Sequence, residues 1–300
     1  MLKIPEELNC PTKLRIIENE PLSAYTTMGV GGTVSQLIDI PWISDCFPKV
    51  LDLCREQGIK PIILGNGSNI IAPDGELDLV VIKTPVGIVI PKTEGVDWLE
   101  IQAGMSLFTV CNNSVIQALT GLEFAYGIPG SVGGAIYMNA GAYDGEMSQV
   151  VQSVTVWQDG EILEIPAEQC GFSYRHSVFQ DTGAVILSAK LKLRPGNSVF
   201  IRAKMDDLLR RRFEKQPLEY PSFGSAFKRP QNGYASELIE RAGLKGFSVG
   251  GAQVSEKHAG FIINTGGATF EDVTQLIEHV RSVVKEKTGI ELETEVRILG

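Results

Sequence analysis

The chain has 300 residues, 43% of them hydrophobic and 21% charged, a globular balance that excludes disorder. Its length exceeds what one core usually fills, so two or three subdomains are expected. A net charge of −9 and a pI near 5.0 exclude a broad nucleic-acid face, which needs positive charge, and leave room only for a local basic pocket. The N-terminal Met1-Leu-Lys-Ile-Pro-Glu-Glu has no basic stretch followed by an apolar run, so no secretory signal is expected. No window holds the roughly 18 consecutive apolar residues that would span a bilayer. The 5 cysteines, at 10, 46, 54, 111 and 170, lack Cys-x-x-Cys spacing and have only 3 histidines beside them. Reduced structural thiols, no metal site and a cytoplasmic location are therefore expected.

In chain order, short apolar runs rich in β-branched residues predict strands at 36–40, 61–64, 79–82, 87–90, 98–103, 151–157 and 184–193. An amphipathic helix is predicted at 46–57. A change of domain falls near Pro195-Gly196, followed by a helix at 205–213 and an exposed turn at 216–221. The strongest helix is 270–288, where Val273, Leu276, Ile277, Val280, Val283 and Val284 repeat at helical intervals. Thr269 and Asp272 form a capping-box pattern before it, and Gly289 stops it. The alternation over 290–299 predicts a strand with Glu291, Glu293 and Glu295 on one wet face.

Between these elements the 32 glycines gather at 29–32, 65–67, 127–145 and 250–267. Segment 62–71 is an apolar strand, the polar turn Gly65-Asn66-Gly67-Ser68-Asn69, and a second apolar run. Asn-Gly and Ser-Asn accept positive φ and expose consecutive N–H groups, the geometry of an anion nest; a plain tight turn fits this segment as well. The second loop, 126–143, places Gly127, Pro129, Gly130, Ser131, Gly133 and Gly134 around a helix start. The N–H groups of Ser131, Gly133 and Gly134 there would stabilise a pyrophosphate, with a tight crossing between sheets as the alternative. Asn139-Ala-Gly141-Ala142 adds another stretch of low bulk. This is not the G-x-G-x-x-G fingerprint, and Gly29-Val-Gly-Gly follows no continuous apolar strand.

Seven motifs in this order carry a specific resemblance: Thr26-Thr-Met-Gly-Val-Gly-Gly, Leu64-Gly-Asn-Gly-Ser-Asn, Gly127-Ile-Pro-Gly-Ser-Val-Gly-Gly-Ala, Asn139-Ala-Gly-Ala-Tyr, Ser173-Tyr-Arg-His-Ser, Tyr220-Pro-Ser-Phe-Gly-Ser-Ala-Phe-Lys and Glu295-Val-Arg-Ile-Leu-Gly. The loops resemble the FAD-binding domain of vanillyl-alcohol-oxidase and p-cresol-methylhydroxylase type flavoproteins. More narrowly, the chain from about Leu22 to Gly300 is similar to the UDP-N-acetylenolpyruvoylglucosamine reductase family of peptidoglycan precursor synthesis. The resemblance implies an α+β fold with FAD-binding subdomains at 1–83 and 84–195 and a substrate domain at 196–300. It also implies non-covalent FAD, NADPH as co-substrate, UDP-N-acetylglucosamine enolpyruvate as substrate, a monomer, and no nucleic-acid partner or membrane insertion. Only Val178-Phe-Gln-Asp-Thr-Gly separates Ser173-Tyr-Arg-His-Ser from the next strand, which resembles the shorter branch of the family, without its tyrosine-bearing loop.

Reducing an enol ether beside a carboxylate puts negative charge on that carboxylate and its neighbouring carbon, which then needs a proton. Arg175 matches the family arginine that pairs with the carboxylate, a role its planar fork suits. Ser225 matches the family proton donor and Glu295 its acidic partner, whose burial against substrate would raise its pKa. Lys228, Arg229, Tyr174 and His258 are candidate contacts to the UDP portion or the nicotinamide; Arg229 stands where many relatives carry asparagine. One rival is an FAD-linked oxidase or dehydrogenase of another small alcohol or sugar. The other is a non-catalytic sugar-nucleotide binding protein.

Overall fold

The computed structural model describes residues 1–5, 8, 10, 14–40, 46–87, 89–90, 98–231 and 233–299. Ile88, inside the strand expected at 87–90, and Gly300 lie outside them. The class is α+β, as expected. Contacts divide the chain into two compact units, and neither is one continuous segment. The first comprises 1–18, 35–66 and 78–210, and the second 19–34, 67–77 and 211–300. Two short segments, 19–34 and 67–77, group with the C-terminal third.

The first unit is built on two sheets. One is antiparallel, in the order Glu161–Pro166, Val151–Gln158, Val185–Lys192, Trp98–Gln102 and Val89–Ile90. Its inward residues Leu99, Ile101, Val154, Val156 and Leu191 pack with α2 (Leu107–Ile116) and α3 (Val132–Tyr137) in one core. The other sheet is Arg15–Pro21, Thr33–Asp39, Glu76–Lys83 and Ile62–Leu64, its last pair parallel and its strand tips crossing the unit boundary. Beside it, α1 (Cys46–Glu56) buries Phe47, Val50 and Leu51 against Ile38, Ile40 and Ile82. Cys10 and Cys46 are joined as a disulfide, whereas five reduced thiols were expected. Their separation of 36 along the sequence hid the proximity that this core creates. Cys54, Cys111 and Cys170 are free, buried thiols.

Along the chain the short helices α4 (Phe179–Thr182) and α6 (Ala235–Arg241) alternate with the longer α5 (Ser198–Lys215) and α7 (Phe270–Thr288). Helix α5 begins at Ser198, earlier than the predicted 205, because Ile201 and Met205 enter the first core and tertiary burial overrides a β-branched start. In the second unit, a four-stranded antiparallel sheet of Ser222–Ser225, Phe261–Asn264, Ala252–Val254 and Ser248–Val249 packs with α7, whose Val273, Leu276, Ile277, Val280 and Val284 are buried. The expected capping box is present: Thr269 Oγ1 accepts the Asp272 N–H at 3.1 Å and Asp272 Oδ2 accepts the Thr269 N–H at 3.0 Å. Gly289 closes the helix at φ +73°. The single strand expected over 290–299 is instead a bridge of Thr294 to Phe227 and a short strand, Arg297–Ile298, parallel to Ile70–Ile71. Leu292 and Val296 are the inward residues that anchor it to the core.

Candidate active site

In the first unit, the strand Ile62–Leu64 delivers Gly65 against Ser131 so closely that a Cβ at Gly65 would stand 2.3 Å from the Ser131 hydroxyl. Asn66 donates its side-chain amide to Pro129 O at 3.3 Å. The two glycine loops predicted from sequence, in their portions at 65–66 and 127–134, therefore touch. Ser131 is the N-cap of α3, its hydroxyl accepting the Gly134 N–H at 3.2 Å. The Gly133 N–H donates to Ala103 O at 2.7 Å, and the Val132 N–H to Met105 O at 2.8 Å. The expectation that Gly133 and Gly134 offer their amides to a pyrophosphate at a helix start is thus corrected: both donors are spent within the protein. What Gly133 provides is close packing, since an added Cβ would lie 2.8 Å from that of Ala103.

Asn139 is fully buried at φ +41°, and both ends of its side chain are engaged: Nδ2 donates to Ser173 O at 3.0 Å and Oδ1 accepts the Ser148 N–H at 2.9 Å. It ties the Ser173 turn to the end of α3. In that turn Ser173 and His176 exchange backbone hydrogen bonds of 3.1 and 3.2 Å, and Tyr174 and Arg175 form its tip. Arg175 sits at φ +56°, where a non-glycine residue carries strain of about 1 kcal/mol or more. Its guanidinium donates to Gly141 O at 3.2 Å and lies 5.1 Å from the Tyr174 ring centroid. Gly141 and Ala142 pair with Glu146 and Gly145 in a two-stranded hairpin, so this candidate cofactor segment also supports the arginine.

In the second unit, Gly67, Ser68 and Asn69 run between Thr27 and the C-terminal segment. A Cβ on Gly67, at φ +61°, would stand 1.9 Å from Tyr25 O, so only glycine fits. The Thr27 N–H donates to Gly67 O at 3.1 Å, and its hydroxyl to Ser222 O at 2.6 Å. Asn69 Nδ2 donates to Glu295 O at 3.2 Å, and the Arg297 N–H to Asn69 O at 3.0 Å. Ser225 lies beside these. It opposes Phe261, while Ser222 opposes Ile263, so one extra residue is inserted between them, with Gly224 at φ +82°. That bulge re-aims Ser225 relative to the regular pleat. The Glu295 N–H donates to Ala226 O at 2.9 Å, which holds the acid's backbone beside the residue that follows the serine. The structure thereby brings Asn69, Ser225 and Glu295 together in one unit, and Arg175 stands in the other.

The remaining candidates differ in kind. Lys228 is ion-paired with Glu293, and its N–H donates to Glu293 O at 2.8 Å. Arg229 is exposed with its guanidinium 4.4 Å from the Tyr234 ring centroid. His258 lies in the turn between two strands, not at a helix end; its Nδ1 accepts the Gly260 N–H at 3.2 Å, and burial holds its pKa below the usual histidine value. Glu291 and Glu293 are exposed, as the wet face requires, with Glu295 half-buried. Glu291 faces Lys285 and Arg281, and Glu293 faces Lys228. Sequence reasoning missed Thr27, whose two hydrogen bonds join the Gly67 loop to the Ser222 strand, and the Thr26-Thr pair within the first motif was its visible signal.

Residues 216–299 match the C-terminal domain of UDP-N-acetylenolpyruvoylglucosamine reductase, and residues 45–166 match an FAD-binding domain. A reductase of that name from Pediococcus pentosaceus is 48% identical over 290 residues, covering 96% of this chain and 95% of that one. The chain belongs to the UDP-N-acetylenolpyruvoylglucosamine reductase family. The reductase of Caldanaerobacter subterraneus is 45% identical over 94% of this chain and 93% of its own. The crystal structure of the reductase from Thermus caldophilus superposes with a TM-score of 0.80 at 32% identity, covering 96% of this chain and 99% of that one. A solvent-stable cholesterol oxidase, at 15% identity and a TM-score of 0.50, covers 64% of this chain and 40% of its own and shares the fold alone.

The protein is accordingly an FAD-dependent oxidoreductase, and its loops fit that cofactor. Among the described residues, the N–H groups of Asn66 in the first unit and of Gly67, Ser68 and Asn69 in the second meet no protein acceptor. Consecutive free amides such as those of Gly67, Ser68 and Asn69 suit a pyrophosphate. No described helix is long and apolar enough to cross a membrane.

Proposed function

We propose that this reductase converts UDP-N-acetylglucosamine enolpyruvate to UDP-N-acetylmuramate at the expense of NADPH, as a cytoplasmic monomer. Bound FAD would supply the hydride-transfer chemistry between NADPH and the enol ether. In the second unit the amides of Gly67, Ser68 and Asn69 would hold its pyrophosphate; in the first, Gly65, Asn66, Gly127, Pro129, Gly130 and Ala142 would leave room for close backbone approach. Arg175 pairs with the substrate carboxylate and stabilises the charge that develops there. The Ser225 hydroxyl gives its proton to the neighbouring carbon, and Glu295 lies beside that transfer as the acidic partner. Tyr174, Lys228, Arg229 and His258 contribute to the nucleotide and nicotinamide contacts. The C-terminal unit is read as the substrate domain.

The observation that carries this reading is the bulge at Gly224 that sets Ser225 off the regular pleat, directly before Ala226, whose O accepts the Glu295 N–H. A Gly-Ser turn hydroxyl needs no such device, whereas a proton donor must be aimed. The test is an absorbance spectrum of the purified protein, then anaerobic NADPH, then UDP-N-acetylglucosamine enolpyruvate. Flavin bands that bleach and return with that substrate are expected. A flavin that bleaches but returns only with oxygen overturns the substrate assignment and keeps the fold.

A further inference from the structure

Glu123 is a carboxylate with 3% of its surface exposed, and the reaction above leaves it unused. It opens a single 3-10 turn, Glu123–Ala125. Its Oε1 accepts the Thr120 hydroxyl at 2.5 Å and its Oε2 the Gly121 N–H at 3.1 Å. Lys204 Nζ on α5 stands 3.7 Å from Oε2. Burying an ion is unfavourable until its donors offset the lost hydration, so an apolar side chain would seal the same volume with less penalty. An anion kept in such a place fixes orientation.

Two functional segments hang from this turn. Downstream, Tyr126 stacks on Phe108 with ring centroids 5.3 Å apart, and its hydroxyl accepts from Arg202 at 3.4 Å. The chain then enters 127–131, whose far end is held by the Leu107 N–H to Gly130 O at 2.9 Å. The Pro129 loop is therefore clamped at both ends, with Glu123 organising the near one. Sideways, the Phe124 ring lies against Gly145 so closely that a Cβ there would meet it at 2.5 Å. Gly145 pairs with Ala142 in the hairpin whose Gly141 O accepts from Arg175.

We propose that Glu123 is a positioning residue for the cofactor: its carboxylate locks the 120–125 turn so that the 127–131 loop and the 141–146 hairpin keep the shape FAD requires. The proposal rests on the reading of these loops as flavin-binding. Protein stripped of FAD is titrated with FAD by quenching of flavin fluorescence, for the wild type and for Glu123→Ala, Glu123→Gln and Thr120→Val, each checked for folding by circular dichroism. Glu123→Ala leaves buried donors unpaired, so FAD binding should weaken about tenfold or more. Glu123→Gln can donate to the Thr120 oxygen and accept from Gly121, so its affinity should stay within about threefold of wild type. A folded Glu123→Ala whose affinity stays within about threefold of wild type, or a Glu123→Gln as weak as Glu123→Ala, overturns the proposal. Should Glu123→Ala not fold, Thr120→Val decides: weakening by more than about threefold supports the lock, and unchanged binding overturns it. Wild-type protein that takes up no FAD would instead sink the cofactor-site reading beneath it.

Discussion

Replacing Gly224 with alanine separates backbone geometry from packing. At φ +82°, with no atom within 4 Å of an added Cβ, the substitution meets no clash and only the cost of a left-handed conformation. That cost is about 1–2 kcal/mol for an ordinary L-residue. It can be met in two ways. If the bulge holds, folding stability falls by that amount while Ser225 stays aimed. If the bulge relaxes, Ser225 moves, and a shift of about 1 Å slows a positioned transfer by about 100-fold. Asparagine tolerates this conformation far better, so Gly224→Asn should recover most of whichever loss alanine shows, despite being bulkier. The assay pairs denaturant unfolding with anaerobic stopped-flow measurement of flavin reduction by NADPH and of reoxidation by substrate. The expected result is a stability loss of about 1–2 kcal/mol or slowed reoxidation in Gly224→Ala, with NADPH reduction unchanged. Asparagine as damaging as alanine, or more so, would show that bulk is responsible and refute the reasoning. Wild-type behaviour of Gly224→Ala in both measurements would refute it equally.

Arg175→Gly relieves strain at φ +56° but loses the hydrogen bond to Gly141 O, so stability in denaturant unfolding should change by less than about 1 kcal/mol, while reoxidation of the flavin by substrate collapses. Loss of stability together with activity would make the residue structural. Ser225→Ala and Glu295→Gln should each leave NADPH reduction of the flavin intact and slow its reoxidation, and collapse of the reductive half would remove both from their assigned roles. Glu123 gives a pH dependence with a fixed sign. Burial alone would raise its pKa, but the hydrogen bonds from Thr120 and Gly121 and the Lys204 charge outweigh it and hold the value below the ordinary 4.5. Its contribution to stability is then present above pH 4.5 and is lost as pH falls through the lowered value, so Glu123→Gln should unfold with a shallower acid limb. An acid limb identical to wild type would contradict that.

The elements most legible in the sequence were those with a local cause. Helix α7 announced itself through its apolar spacing, its Thr269–Asp272 box and Gly289, because all three act within one chain segment. Helix α5 was found late and the 290–299 strand was drawn as one piece, because what decides them is distant: the first core reaching for Ile201, and Phe227 and Ile70 supplying partners to Thr294 and Arg297. The site divides the same way. Gly67 was identifiable as a turn glycine, but Tyr25 O, the atom that forbids a side chain there, lies 42 positions away by residue number (67 − 25). The amides of Gly133 and Gly134 were misread because a glycine-rich helix start looks like an anion site whether its donors are free or spent. Only the positions of Ala103 and the Ser131 hydroxyl reveal that they are spent. Glycine motifs therefore mark where backbone must come close, and leave open what it comes close to. Here Gly133 approaches Ala103 and Gly65 approaches Ser131, whereas the free amides of Gly67, Ser68 and Asn69 are the part of those motifs available to a phosphate.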